Sequence, residues 1–205
     1  MNMNTKEINS IEDIDSGQLP GFLFPKLMEI NQLQITPFQE DSLGNICYYL
    51  HLNNKIRKYK SENKIIDLQD KNSIEDAFGA YEEYEEILLE PGESIIGQTF
   101  EEIGISEWLL SKLENTSSFG RVFVNHASHG FSHPGHGINA PLRIMVELTN
   151  LGKHTVKIYP AKMVDGKIVG TEVMRMYIEK LPYKAEIYEK RSANYKLKMD
   201  NTDKS

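Results

Sequence analysis

The chain has 205 residues, a formal net charge of −7 at pH 7 and a hydrophobic fraction of 40%. A chain of this length can bury one hydrophobic core and carry short appendages. The acidic balance argues against a nucleic acid polymer or a membrane as partner, and no apolar run is long enough to span a membrane. The only cysteine, Cys47, excludes an intrachain disulfide, so the composition predicts a cytoplasmic protein.

Three segments are predicted from the distribution of polar and apolar residues. Residues 1–20 are polar and acidic without a secretory signal pattern, and we expect a flexible N-terminal tail. Residues 21–182 hold most of the apolar segments and are expected to form one domain. Residues 183–205 are basic and aromatic, and we expect them to form a lid or a tail.

Short apolar segments alternate with turn residues through most of the expected domain. Ser73 is a candidate helix N-cap, a short helix is predicted for Ser106–Leu113, and Asp165-Gly166 indicates a hairpin. Strands are predicted at residues 46–52, 87–93, 95–100, 143–148, 155–159 and 168–176. Many short strands with few helices indicate a mainly β fold, built as a distorted β-barrel or a jelly-roll-like sandwich.

Residues 116–150 hold the groups with the most chemical potential. Ser117 and Ser118 offer two hydroxyls and consecutive backbone N–H groups, which suit phosphate oxygens or a water molecule. Gly120 lets the backbone approach a ligand closely. Arg121 adds a permanent planar cation. The segment therefore predicts a site for an anionic ligand.

Glu147 is the candidate catalytic acid. In the alternating segment 143–148 it shares one strand face with Arg143 and Met145, opposite the apolar side chains. If that face lines a closed pocket, the carboxylate suits a general base. If the face meets solvent, Glu147 is an ordinary exposed glutamate. The alternation alone leaves both interpretations open.

Four of the six histidines fall within residues 126–136. Imidazole is a common zinc ligand, but the glycines and proline in this segment break any helix that would align the rings. We expect no dedicated metal site, while contacts to the base and sugar of a nucleotide, or a surface role, stay open. Phe131 either stacks on a base or belongs to the core. The four histidines are His126, His129, His133 and His136.

Three segments in order resemble the dCTP deaminase family within the dUTPase-like superfamily. They are Ser-Ser-Phe-Gly-Arg at 117–121, Gly-Phe-Ser-His-Pro-Gly at 130–135 and Val-Glu-Leu-Thr-Asn at 146–150. The resemblance covers about residues 30–200 and is firmest over 116–150. It implies a dUTPase-type fold and a homotrimer, because the sites of that family lie between subunits.

The resemblance also implies an activity, which is hydrolytic deamination of dCTP to dUTP. Glu147 matches the residue that activates the attacking water, while Ser117 and Arg121 match those that position the water and the base. A deoxynucleoside triphosphate is the expected substrate, with Mg²⁺ bound to its phosphates. The positions expected to bind the nucleotide are Ser118, Thr116, His129, Gly130, Phe131, His133, Tyr188 and Lys198.

Three departures from the family pattern leave the activity open. Thr116 stands where the family usually has an arginine that holds phosphate, and His133 where an aspartate holds the deoxyribose 3′-hydroxyl. His129 replaces a small residue beside the catalytic water. The alternatives are a dUTPase-type nucleotide diphosphohydrolase, a bifunctional enzyme, or an inactive nucleotide-binding homologue. One cysteine cannot supply the ligand set of the zinc-dependent deaminases.

Overall fold

The structure is a computed structural model, and it describes residues 7–60, 65–127 and 130–186. None of the helices in these ranges is long and apolar enough to cross a membrane. The α-helices are α1 (Phe24–Glu29), α2 (Lys71–Glu75) and α3 (Ser117–Arg121). Single 3₁₀ turns lie at Ile11–Asp13, Gly21–Leu23 and Glu40–Ser42.

Strands make up most of the regular secondary structure of the described chain. In order they are β1 (Gly17–Gln18), β2 (Leu33–Thr36), β3 (Tyr48–His51), β4 (Lys55–Lys58), β5 (Glu82–Glu83), β6 (Ile87–Leu89), β7 (Ser94–Ile105), β8 (Leu109–Asn115), β9 (Val124–His126), β10 (Gly130–Ser132), β11 (Leu142–Asn150), β12 (Val156–Ile158), β13 (Lys162–Val164), β14 (Lys167–Val169) and β15 (Glu172–Lys180).

Two antiparallel sheets carry the fold. Sheet 1 has the strand order β1-β15-β8-β10, with β3 also paired to β15. Sheet 2 has the order β5-β4-β7-β11-β9, with β2 also paired to β7. Buried side chains of both sheets belong to one hydrophobic core. The expected mainly β fold is confirmed, although the described strands do not close into a barrel.

The alternation of β11 defines the two faces of sheet 2. Ile144, Val146 and Leu148 are buried in the core, whereas Arg143 and Glu147 on the other face are only partly buried. Successive side chains of a strand point to opposite sides, so this period of two separates a core face from an outer face. The strand predicted for residues 143–148 is confirmed, with the predicted orientation.

The N-terminal residues pack against the fold instead of forming a flexible tail. Ile8, Ile11 and Ile14 are buried, and β1 pairs with the end of β15. The Lys180 ammonium donates a hydrogen bond to the Ile14 carbonyl, which ties this segment to sheet 1. The flexible-tail prediction is therefore wrong for residues 7–20. Three isoleucines three residues apart give this polar segment an apolar side that burial stabilises.

Two predictions of helical structure also need correction. Residues 109–115 form β8, because every residue of this segment pairs with β15, from Leu109 opposite Lys180 to Asn115 opposite Met174. Trp108 does pack against the core, but in the turn before that strand. Helix α2 begins after Asp70 and not after Ser73, because the Asp70 carboxylate accepts a hydrogen bond from the Asn72 N–H at 3.0 Å.

The predicted Asp165-Gly166 hairpin is present and connects β13 to β14. Both turn residues have positive φ, 50° and 78°, as a two-residue hairpin turn of this type requires. The strand predicted for residues 168–176 is divided at Gly170, which lies between β14 and β15. A Cβ at Gly170 would lie 2.6 Å from the Cα of Ala161, so the base of the hairpin is tightly closed.

Candidate functional site

Glu147 lies in the middle of β11, held by strands on both sides. It is opposite Ile96 of β7, and its carbonyl accepts a hydrogen bond from the Ala127 N–H at 2.8 Å on the β9 side. The side chain is partly buried on the outer face of sheet 2. Across the described ranges, its carboxylate forms no hydrogen bond and no ion pair. A fixed backbone with an unoccupied carboxylate suits a group that acts on a ligand.

The surroundings of Glu147 combine apolar and polar side chains that are each partly buried. Met145 lies two residues away on the same face, and Gln98 donates to its sulfur at 3.9 Å. Ser94 and Thr149 share a hydrogen bond of 2.8 Å at the end of the strand pair. A sheet face with this composition is neither a hydrophobic core nor a fully solvated surface.

Helix α3 presents the serine pair and the arginine to solvent. The Thr116 hydroxyl accepts a hydrogen bond from the Phe119 N–H at 3.5 Å and so caps the helix. Phe119 is buried at 3% exposure and fixes the helix on the core. Ser117, Ser118 and Arg121 are exposed as a result. Thr116 is itself buried and caps the helix, and its predicted contact to the nucleotide stays a prediction.

Within one chain, α3 and the Glu147 carboxylate are separated. Val124, three residues after the helix, is opposite Asn150, and Asn150 is three residues beyond Glu147 along β11. Three strand residues span about 10 Å. Among the described residues, neither Ser117 nor Arg121 forms a hydrogen bond or an ion pair with Glu147. One copy therefore does not bring the three predicted catalytic residues together.

The aromatic segment at 130–132 forms β10, an edge strand of sheet 1. Phe131 is opposite Lys112 of β8 and is 55% exposed, so the interpretation as a core aromatic is wrong. A Cβ at Gly130 would meet no atom within 4 Å, which leaves open space beside it. His133 is exposed in the loop that follows. The remaining predicted nucleotide contacts, His129, Tyr188 and Lys198, lie outside the described residues.

The histidines are divided between the interior and the surface. His126 is buried at 2% exposure on β9, whereas His133 is exposed. Burial lowers the pKa of His136 below its usual value of 6.5, and the nearby His133 lowers it further. In the described ranges, no group of three or more His, Cys, Asp or Glu side chains is arranged to hold a metal ion.

Strand β7 holds a buried acid that none of the sequence motifs indicates. Glu101 is fully buried. One oxygen of its carboxylate is hydrogen-bonded to the His51 ring nitrogen Nδ1 at 2.6 Å, and the other accepts a hydrogen bond from the His51 backbone N–H at 2.9 Å. The Thr99 hydroxyl donates to the Glu101 carbonyl at 2.7 Å. A bulge places three β7 residues opposite Ile144 alone. The sequence signal for this buried acid was the alternation of β7, because continuing it past Phe100 places Glu101 on the core face.

With this geometry in place, a family model described as dCTP deaminase-like matches residues 22–168. The chain belongs to the dCTP deaminase-like family. A dUMP-forming dCTP deaminase of Streptomyces griseus is 33% identical over 114 residues, 52% of this chain and 53% of that protein. A dCTP deaminase of Haloarcula marismortui is 29% identical over 147 residues, 70% of each protein. The chain spans about half the length of several curated relatives that it matches.

A solved structure shows a similar fold. The 2′-deoxycytidine 5′-triphosphate deaminase from Agrobacterium tumefaciens matches with a TM-score of 0.56 and 14% sequence identity. The match covers 81% of this chain and 49% of that protein. At this identity the likeness concerns the fold alone. Together with the family model, it confirms the resemblance seen in the sequence motifs.

Proposed function

We propose that the chain converts dCTP to dUTP with a water activated by Glu147. Membership of the dCTP deaminase-like family supports this choice of substrate. The observation that carries it is the Glu147 carboxylate, which is partly buried on a rigid strand and has no partner among the described residues. A carboxylate that stabilises no neighbouring group is available for proton transfer.

The proposed reaction consumes one water and releases one ammonia. Glu147 takes a proton from the water, and the resulting hydroxide adds to C4 of the cytosine ring. The same carboxylate returns protons to the base as the C4–N bond breaks. Arg121 and Ser117 hold the water and the base, and Ser118 contacts phosphate. Mg²⁺ enters with the substrate, because triphosphate oxygens are ligands that it prefers.

We further propose that each site forms between copies in a homotrimer. The support for this proposal is that α3 and Glu147 are separated within one chain. A neighbouring copy would complete the site if its Ser117 and Arg121 lay beside Glu147. A ring of identical contacts gives every copy one complete site. The proposal predicts complementation between two inactive variants, Glu147→Gln and Arg121→Ala.

Mixing the two variants is a direct test of the shared site. After denaturation and refolding together in equal amounts, about a quarter of the sites receive both native side chains. Activity should therefore return to about a quarter of that of the native protein. Each variant refolded alone is the control and stays inactive. If the mixture stays inactive while both variants form mixed oligomers, Glu147 and Arg121 do not act across copies.

A bifunctional reaction that ends in dUMP is the second candidate. The name of the S. griseus relative, a dUMP-forming dCTP deaminase, favours it. This reaction adds attack of a second water on the α-phosphate, with release of pyrophosphate. The two candidates differ in product, so chromatography of dCTP and dUTP incubations separates them. The assay is run with and without a chelator to establish whether Mg²⁺ is needed.

The same assay tests the remaining alternatives. Conversion of dUTP alone identifies a dUTPase-type diphosphohydrolase. A rise in melting temperature with dCTP but no product identifies an inactive nucleotide-binding homologue. Either result contradicts the proposed deaminase. We also propose a cytoplasmic location, which is supported by the free and buried Cys47 thiol.

A further inference from the structure

Gln98 lies beside Glu147 on the outer face of sheet 2. It belongs to β7 and is opposite Met145, while Ile96, two residues earlier, is opposite Glu147. Side chains two residues apart on a strand share one face, and Gln98 is partly buried there. Gln98 and Glu147 are therefore diagonal neighbours, with Cβ atoms roughly 7 Å apart. Both side chains are long enough to reach one small ligand between them.

The carboxamide of Gln98 has little hydrogen bonding for a partly buried group. Across the described ranges, its one hydrogen bond runs from Nε2 to the Met145 sulfur at 3.9 Å. A thioether sulfur is a weak acceptor and cannot donate. Polar groups that leave bulk water normally gain stronger partners than this. One N–H of Nε2 and the Oε1 atom are therefore available to a ligand.

The Met145 sulfur also fixes the direction in which the carboxamide presents these two groups. Because sulfur only accepts, the Nε2 side of the amide faces it and Oε1 points away. The remaining N–H and Oε1 then form a donor and an acceptor in a fixed order. Rotation of the amide by half a turn exchanges the two and loses the sulfur contact. Gln98 can therefore distinguish ligands whose edges differ only in the order of donor and acceptor.

We propose that Gln98 determines the base specificity of the site by binding the edge of cytosine formed by N3 and the C4 amino group. This inference rests on the proposed function, in which Glu147 acts at C4. Oε1 accepts a hydrogen bond from the amino group, and the remaining N–H donates to N3. Uracil has a carbonyl oxygen at C4 and an N–H at N3, which is the opposite order. The site therefore binds an aminopyrimidine nucleotide in preference to its oxo counterpart.

The surroundings of this diagonal pair suit a pyrimidine ring. Ile96, opposite Glu147, and Met145, opposite Gln98, are both apolar and partly buried. They give a flat ring an apolar surface between the two polar side chains. Deamination replaces the C4 amino group with a carbonyl, so the product loses the hydrogen bond to Oε1. The same contact therefore favours release of dUTP.

Nucleotide binding by Gln98→Met tests the proposal. The substitution keeps the length of the side chain and removes the carboxamide. It is made in the Glu147→Gln background, in which dCTP is expected to persist during a calorimetric titration. We expect the dissociation constant for dCTP to rise about 10-fold, and that for dUTP to change by less than about threefold. The preference for dCTP over dUTP should therefore be largely lost.

Met145→Leu in the same background tests the contribution of the sulfur, and it does so even if Gln98→Met fails to fold. Leucine has a similar volume and no acceptor, so the fold is kept while the amide becomes free to rotate. The amide then pairs with either base. The preference for dCTP should fall at least about threefold, mainly through tighter binding of dUTP. An unchanged preference would show that the sulfur does not orient Gln98 and would overturn the proposed specificity.

Gln34→Met is the matched control, because Gln34 is a partly buried glutamine on β2 of the same sheet. Its amide donates to the Ile138 carbonyl at 3.0 Å, so its role is structural. The control should leave the preference for dCTP unchanged. A preference in Gln98→Met within about threefold of that of its parent would overturn the inference, whereas measured deamination would keep the activity. A preference that depends on Gln98 in a protein without deamination supports the inference and contradicts the proposed activity.

Discussion

Glu101 and Glu147 lie on neighbouring strands of one sheet in opposite environments. Glu101 is fully buried on the core face, and both of its carboxylate oxygens receive hydrogen bonds from His51. Glu147 is half-buried on the outer face, and within the described ranges its carboxylate receives none. Burial with complete hydrogen bonding is typical of a structural acid. Partial burial without a described partner leaves the Glu147 carboxylate accessible for the proposed role.

Replacing Glu147 with glutamine should have the largest effect on activity and almost none on stability. Loss of the general base should reduce dCTP deamination by at least about 10²–10⁴-fold. The free energy of unfolding should change by no more than about 0.5 kcal/mol, because no described contact is removed. Steady-state kinetics and urea denaturation measure the two quantities.

Glu83→Gln on β5 is the matched control, since it removes the charge of an exposed glutamate from the same sheet. It should change neither quantity. The contrast between the two acids fails if Glu147→Gln retains activity, or if it destabilises the protein as much as a core substitution. Either result would show that Glu147 is not the catalytic base.

Replacing Glu101 with alanine should show the reverse pattern. Removal of one partner from a buried, hydrogen-bonded pair is expected to destabilise the fold by about 3–5 kcal/mol. The His51 ring and backbone N–H groups lose their acceptors, and no water replaces them in a closed core. Urea denaturation measures the loss, and His51→Ala in a double-mutant cycle isolates the coupling. Destabilisation below about 1 kcal/mol would show that the pair is not structural.

The sequence predicts which face of a strand is buried better than it predicts which strands pair with one another. Residues 143–148 were assigned correctly because a period of two records burial directly. Ser106–Leu113 was assigned wrongly because Trp108, Leu109 and Leu110 fit either a helix or a strand, and pairing with β15 decides between them. In residues 7–20, three isoleucines in a polar segment were too weak a signal against the surrounding charge.

In the candidate site too, local features are predictable from the sequence and long-range arrangement is not. The motifs identify Ser117, Arg121 and Glu147 by residue type and order, and all three are accessible in the described chain. Their separation depends on the register of β9 against β11, which no local pattern encodes. The proposed completion of the site by a second copy depends on contacts between chains, which no local pattern encodes either. The residue types of the candidate site are therefore readable from the sequence and their roles stay predictions, whereas their spatial arrangement is not readable from it.

His136 has the smallest expected effect, and it extends the comparison from the two acids to a partly buried base. Its folded pKa lies below the unfolded value of 6.5, so the unfolded chain binds the proton more readily. Its contribution to stability is complete above about pH 6.5 and is lost as the pH falls through the folded pKa. Each unit of pKa difference corresponds to about 1.4 kcal/mol. Urea denaturation from about pH 7.5 to about pH 5.5 should therefore show decreasing stability.

The substitution His136→Gln assigns that decrease to one imidazole. Glutamine does not titrate in this range, so the stability of the variant should fall less steeply with decreasing pH than that of the native protein. His154→Gln is the control, because His154 is exposed and loses little solvation on folding. Equal slopes for the native protein and His136→Gln would place the titration elsewhere in the fold. A smaller slope for His136→Gln alone shows that burial, and not the histidine count, sets the response of this fold to acid.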